Sequence, residues 1–135
     1  MKLFLFSFLM LNNLFLVAQP EKIEHVKIGL DSTQQENLFP HINQYYEGEI
    51  PIAQLGDMEG IQTAENYKIQ SFIINYAHGE KNVSVEVKGN IIPKEVIEDI
   101  YKFALGEMVF ITKIVTEDEN KNIFELIPMN LIPIE

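Results

Sequence analysis

Two adjacent strand patterns in the middle of the chain limit the folds open to it. Val83, Val85 and Val87 alternate with polar residues, as in a strand with one buried face. Residues 67–76 are rich in aromatic and β-branched side chains, and Gly79 lies between the two patterns, where it suits a turn. We therefore predict a β-hairpin.

The first strand of this hairpin changes its apolar face midway. Tyr67 and Ile69 fall on one face, whereas Phe72 and the apolar residues after it fall on the other. A regular strand cannot make this change, because its side chains alternate with a period of two. We predict a bulge near Gln70–Ser71, unless both faces are buried there.

A single amphipathic helix is predicted over about residues 93–105. Pro93 suits its first position, Gly106 suits its end, and Ile92 stands where a capping side chain is missing. The apolar stripe of the helix comprises Val96, Ile97, Ile100, Tyr101 and Ala104.

Two more strands are predicted after the helix. Residues 108–115 form one, and residues 123–134 form the other, which Pro128 and Pro133 interrupt. Because proline cannot donate to a ladder, this last strand is expected at a sheet edge or bent at the prolines. The order of elements favours a mostly β, antiparallel fold with one crossing helix.

The N-terminal residues have the pattern of a secretory signal peptide over residues 1–18. Lys2 precedes an apolar run, and Ala18 is its expected last residue. A membrane anchor is the alternative, but the run is short and is broken at Asn12–Asn13. We expect a periplasmic or secreted chain without a membrane span, with an arm over residues 19–49 that includes a short strand near residues 25–30, and a β domain over residues 50–135.

Composition disfavours several functions. The 135 residues include neither arginine nor cysteine, and twenty acidic residues against ten lysines give a net charge of −10. Excess acid disfavours binding to nucleic acid and to anionic membranes. The lack of cysteine excludes disulfides, thiolate metal sites and cysteine nucleophiles. We expect no cofactor and no metal ion.

The residues capable of site chemistry have simpler structural interpretations. The acidic turn at residues 117–119 lacks the spacing of a calcium loop, so a solvated hairpin tip is expected. No spacing of carboxylates singles out an acid–base pair. The histidines and serines considered as metal ligands or nucleophiles lie in no motif for either chemistry. They are His25, His41, His78, Ser32, Ser71 and Ser84. We therefore expect no catalytic residue.

The order of several short motifs supports a family resemblance. The motifs are Gly60–Ile61, Tyr67, the strand Ile69–Phe72, Gly89–Asn90, Gly106, the strand Phe110–Ile114 and the final Leu126–Pro128. This order, and the segment Leu55–Tyr76 in particular, resembles the C-terminal domain of the GldM family, part of the gliding-motility and type IX secretion machinery of Bacteroidetes.

The resemblance implies an immunoglobulin-like β-sandwich that contacts partners on the outer-membrane side, and it supplies no catalytic residues. Full-length members of the family also carry a membrane helix and a long periplasmic stalk. We expect neither in this chain, so the motor function of the family is not expected to carry over.

We therefore expect an exported, non-enzymatic domain that binds another exported or envelope protein, linked by the resemblance to gliding motility or type IX secretion. The last strand, with its prolines, would be an exposed edge that accepts a partner strand. In an alternative, Phe39, His41, Tyr45 and Tyr46 line the pocket of a periplasmic ligand-binding protein or a carboxylate-dependent enzyme. The simpler interpretation packs these four on the end of the sandwich. A homodimer through residues 20–50 is a third possibility.

Overall fold

The structure, a computed structural model, describes residues 38–135 and the backbone of a two-residue strand at Val26–Lys27. That strand lies within the segment 25–30 where a short strand was expected. The predicted signal peptide, most of the arm, His25 and Ser32 lie outside the described residues.

Seven strands and two helices make up the described chain. They are β1 (Val26–Lys27), β2 (Glu47–Pro51), α1 (Ile52–Leu55), β3 (Lys68–His78), β4 (Lys81–Lys88), α2 (Lys94–Phe103), β5 (Val109–Glu117), β6 (Ile123–Leu126) and β7 (Met129–Ile134). The prediction of a mostly β fold with a short helix is confirmed. The four-residue helix α1 was not predicted.

Hydrogen bonds join the strands into one sheet. Strands β4, β3 and β5 are antiparallel neighbours, and β6 and β7 follow one another along the other side of β5. The parallel pairings of β1 with β6 and of β2 with β7 make the sheet mixed, which the sequence did not predict. The immunoglobulin-like sandwich stays a prediction, since this pairing assigns the strands to one sheet and not to two.

The hairpin and its bulge are confirmed. Strands β3 and β4 pair in register up to a tight turn at Gly79–Glu80. The pairing of β3 with β5 shifts on both sides of Ser71, as the change of apolar face requires. On β5 the backbone of Lys113 takes φ 52° next to this shift.

The last strand is bent as predicted, but its placement at a sheet edge was wrong. The predicted strand is interrupted at Ile127–Pro128, which separates β6 from β7. Strand β7 then lies between β5 and β2. The ladder from β5 reaches only Met129–Leu131, so the missing N–H of Pro133 removes no bond from it. The outer strand on the opposite side of the sheet is β4.

Helix α2 begins one residue later than predicted. Pro93 is its N-cap and not its first helical residue, and no side chain caps the helix, as predicted. The helix ends at Phe103, and the N–H of its C-cap residue Ala104 donates to the carbonyl of Ile100. The N–H of Gly106 donates to the Pro133 carbonyl, so it joins the helix end to β7.

The apolar stripe of α2 is only partly buried at Ile97 and is exposed at Tyr101. Val96, Ile100 and Ala104 are buried, whereas Tyr101 is 48% exposed. The Tyr101 hydroxyl donates a 3.0 Å hydrogen bond to Glu135 Oε2 at the surface. Tyr101 therefore belongs to the apolar stripe in the sequence but contributes to the surface and not to the core.

One apolar core runs beneath the sheet and includes part of the predicted arm. Leu38 and Ile42 are buried in the same cluster as Phe72 and Ile111. Strand β2 also crosses the predicted boundary between residues 49 and 50. Across residues 38–135, neither helix has the length and apolar character needed to cross a membrane.

Candidate functional site

One face of the sheet is open to solvent. Asn75, Phe110, Asn130 and Glu47 lie side by side across β3, β5, β7 and β2, because each is the register partner of the next. Phe110 is 43% exposed on this face. The row therefore places one large aromatic side chain among polar ones.

Hydrogen bonds order the β3 and β4 end of this row. The Asn75 amide donates to the Phe110 carbonyl at 3.2 Å and to Thr112 Oγ1 at 3.3 Å. Ser84 Oγ in turn donates to Asn75 Oδ1. The polar side chains beside Phe110 on β3 and β4 thus bond to one another, whereas the Phe110 ring offers an apolar surface to solvent.

Three further exposed apolar side chains lie at the β2 and β7 end. Phe39, Tyr46 and Ile127 are 43%, 54% and 46% exposed, and the two rings lie 6.0 Å apart between centroids. They surround a depression of about 170 Å³ that Asn130, the neighbour of Phe110, also lines. We call Phe39, Tyr46, Ile127 and Phe110 the apolar corner.

The cluster of aromatic residues and His41 that the alternative places around a pocket is divided in the structure. Phe39 and Tyr46 share the small depression, but Tyr45 packs against the core. His41 exchanges backbone hydrogen bonds with Gln62, and its Nδ1 lies 2.8 Å from the Asn43 carbonyl oxygen. The four residues therefore do not line one cavity.

Two further depressions have volumes well inside the usual range of a small-molecule site. One, of about 550 Å³, lies between α1 and α2 and is lined mainly by Ile52, Ala53, Ile97 and Tyr101. The other, of about 570 Å³, extends along residues 61–69 and 89–90. Small-molecule sites usually enclose about 300–1,000 Å³. The volumes of both depressions fall in this range, whereas the volume of the depression at the apolar corner does not.

A network of titratable side chains joins the end of β3 to α2. Asp99 Oδ2 accepts a 2.8 Å hydrogen bond from the Tyr76 hydroxyl and lies 2.9 Å from His78 Nδ1. The His78 ring lies over Phe103, with centroids 4.0 Å apart. We call Tyr76, His78 and Asp99 the Asp99 network. Sequence reasoning missed it, because it interpreted His78 only as a turn residue.

The ionisation of the Asp99 network suits a structural role. Hydrogen bonds from His78 and Tyr76 lower the pKa of Asp99, so it is a charged acceptor at neutral pH. Burial, followed by the hydrogen bond to Asp99 and its charge, raises the pKa of Tyr76 to about 12. Tyr76 is therefore a neutral donor, and the network contains no aliphatic hydroxyl or thiol nucleophile.

The acidic turn uses its central carboxylate for its own backbone. Asp118 Oδ1 accepts from the N–H groups of Asn120 and Asn122, each at 2.8 Å, and Oδ2 accepts from the Asn122 amide. These bonds outweigh partial burial and lower the pKa of Asp118. Within the described part of the chain, no group of three or more His, Asp or Glu side chains is arranged to hold a metal ion.

Two of the motifs behind the family resemblance lie against each other. The Ile61 N–H donates to the Asn90 carbonyl at 2.7 Å, and the Asn90 amide donates to the carbonyls of Glu59 and Ile61. Gly60 has φ +67°, and a Cβ there would collide with the Asn90 carbonyl oxygen. Gly60–Ile61 and Gly89–Asn90 therefore form one structural unit that joins the segment before β3 to the end of β4.

Comparison with known proteins adds no identification. No family model matches the chain, and no curated protein is significantly similar to it.

Proposed function

We propose that this chain is an exported, non-enzymatic β domain that binds another protein of the cell envelope through the apolar corner. The carrying observation is the group of exposed side chains Phe39, Tyr46 and Ile127, continued by Phe110 on the open sheet face. Contiguous exposed apolar side chains with a polar surround are typical of protein-binding surfaces.

The shape of the apolar corner favours a protein over a small molecule. Its depression of about 170 Å³ is smaller than usual ligand pockets. A partner side chain of ordinary size could enter it, while the rest of the partner rests on the open face around Phe110. Aromatic residues such as Tyr46 are the ones that most often contribute large shares of binding energy.

Charge narrows the chemistry of the partner. The chain has twenty acidic residues against ten lysines, and Glu47 lines the apolar corner itself. Complementary charge steers association and disfavours acidic partners. We therefore propose a partner that presents an apolar side chain beside lysine or arginine residues.

The resemblance to the GldM C-terminal domain supports a place in gliding motility or type IX secretion, with an immunoglobulin-like sandwich as the fold. This part of the proposal is tested by deleting the gene in its own host. Loss of surface movement or of type IX cargo in the medium is expected, with recovery on complementation. Normal movement and normal secretion in the deletion strain would remove the link.

The binding proposal is tested by capture from envelope extracts of the host. We expect the exported protein to retain a specific partner, and Tyr46→Ser combined with Phe39→Ser to lose it. Met58→Ser is the matched control, because Met58 is 76% exposed but lies outside the apolar corner. Equal capture by the two variants would refute the role of the corner.

The small-ligand alternative is supported by the depression of about 550 Å³ between α1 and α2. A ligand there would contact Ile52, Ala53 and Ile97, so it would be largely apolar. Stabilisation of the protein by fatty acids or similar apolar compounds, abolished by Ala53→Trp, is the expected result. Unchanged melting in a broad apolar library would count against this second function.

A further inference from the structure

Strand β4 offers a regular outer edge. It runs for eight residues, Lys81–Lys88, without proline, and in the described structure it pairs with β3 alone. The Gly89 N–H donates to the Gln70 carbonyl, which fixes the phase of the ladder. Residues of an antiparallel pair alternate between bonded and non-bonded positions. The backbone groups of Val83, Val85 and Val87 therefore bond to β3.

The peptide groups of the alternate residues face outward. These residues are Asn82, Ser84, Glu86 and Lys88. Each presents an N–H and a carbonyl to whatever lies beside the sheet. An edge of this kind is a template for a further strand.

The edge has an even charge balance in an acidic chain. Glu80, Lys81, Glu86 and Lys88 supply as many lysines as acids, whereas the whole sequence has twice as many acids as lysines. Two copies can therefore meet at this edge with less repulsion than elsewhere on the surface. On the face toward the core, Val83 and Val85 remain only partly buried, although they line the packed side of the sheet.

We infer that β4 pairs antiparallel with β4 of a second copy, with the two-fold axis at Val85. In this register Val85 lies opposite Val85 of the second copy, and Val83 lies opposite Val87. These pairs occupy the non-hydrogen-bonded positions, where side chains are closest. The second copy thus covers the two valines that β3 and α2 leave partly exposed.

The register is chosen by the side chains. With the axis at Val85, Ser84 lies opposite Glu86 and Asn82 lies opposite Lys88, so no like charges meet. With the axis at Glu86, the two Glu86 carboxylates would oppose each other. With the axis at Ser84, Lys81 would lie opposite Val87. Only the Val85 axis pairs every valine of the strand with another valine.

This dimer goes beyond the proposed function, because β4 and the apolar corner lie toward opposite ends of the strand order. A dimer would present two apolar corners at the far sides of one continuous sheet. Failure of the dimer would leave binding at the apolar corner unaffected, and the reverse also holds.

Cysteine cross-linking tests the register directly, since the chain has no cysteine of its own. In the exported protein, Val85→Cys places two Cα atoms about 4.5 Å apart across the axis, within the range of a disulfide. Val83→Cys is the matched control, because its two copies would lie about 13 Å apart. We expect a covalent dimer for Val85→Cys alone. Equal cross-linking of both variants, or of neither, would overturn the register.

Sedimentation tests the dimer without cross-linking. We expect the wild-type protein to sediment as a dimer at submillimolar concentration, and Glu86→Pro to weaken it by about 30-fold, because each copy loses one outward donor. Glu86→Thr keeps the donor, so it should remain dimeric. A monomeric wild type, or a Glu86→Pro variant that dimerises like wild type, would overturn the inference.

Discussion

The Tyr76 hydroxyl donates a 2.8 Å hydrogen bond to Asp99 Oδ2, and this bond ties the end of β3 to helix α2. Tyr76 is 5% exposed, so its hydroxyl has little access to water as a substitute partner. The helix has no side-chain cap at its N-terminus. Asp99 therefore supplies a polar attachment of this helix to the sheet.

Removing this hydroxyl is expected to destabilise the protein. Tyr76→Phe should lower the free energy of unfolding by about 1 kcal/mol, since one partly buried hydrogen bond is lost. Tyr101→Phe is the matched control, because its hydroxyl bonds to Glu135 at the surface and little change is expected. Urea denaturation of both variants measures the difference. Equal loss in the two would contradict a special role for Tyr76.

The Asp99 network makes stability depend on acid pH. The pKa of Asp99 is lowered in the folded state by the hydrogen bonds from His78 and Tyr76. Its contribution is therefore present above the unfolded carboxyl pKa of about 3.9 and is lost as the pH falls through the folded value. The stability advantage of wild type over Asp99→Asn should shrink between about pH 5 and pH 3. A constant difference in urea denaturation across this range would disprove the coupling.

Two glycines with the same backbone angle are expected to respond differently to a methyl group. Gly60 and Gly79 both have φ +67°, but only Gly60 lies against the Asn90 carbonyl. Gly79→Ala should cost about 1 kcal/mol for the left-handed backbone. Gly60→Ala should cost several kcal/mol more, because the backbone must also move. Similar melting temperatures for the two variants would show that the contact at Asn90 is unimportant.

The buried hydroxyl of Thr116 is expected to matter more than the half-buried one of Thr112. Thr116 is fully buried, and its Oγ1 donates a 2.9 Å hydrogen bond to the Lys68 carbonyl. Thr116→Val should cost about 1 kcal/mol, because this bond at the start of β3 is lost. Thr112→Val removes only an acceptor for Asn75, so it serves as the control. Guanidinium unfolding that ranks Thr112→Val as the more damaging change would contradict this account.

Local patterns predicted the local structure. The alternation of Val83, Val85 and Val87 gave the hairpin, and the change of apolar face after Ile69 gave the bulge, because each depends only on the period of the strand. The prolines of the last strand were interpreted as marking a sheet edge, and for β7 this was wrong. Pro133 fits an interior strand, since its neighbour β5 ends its ladder at Leu131.

Long-range relationships were beyond the sequence pattern. His78 and Asp99 are 21 residues apart, and no sequence motif relates their positions. The apolar corner is similar, because Phe39 and Tyr46 meet Ile127 only after β2 has paired with β7. The pattern identified the aromatic side chains but not the distant chain segment that completes their surface.

The pairing of β2 with β7 also has a consequence for how the domain is made. Glu47 and Asn130 are register partners, although more than half the chain separates them. Strand β7 is synthesised long after β2, so β2 lacks this partner while the segments between them are being made. Contacts between such distant segments form slowly. Closure of the sheet at β2 therefore follows the local pairing of β3 with β4, whose strands are neighbours in sequence.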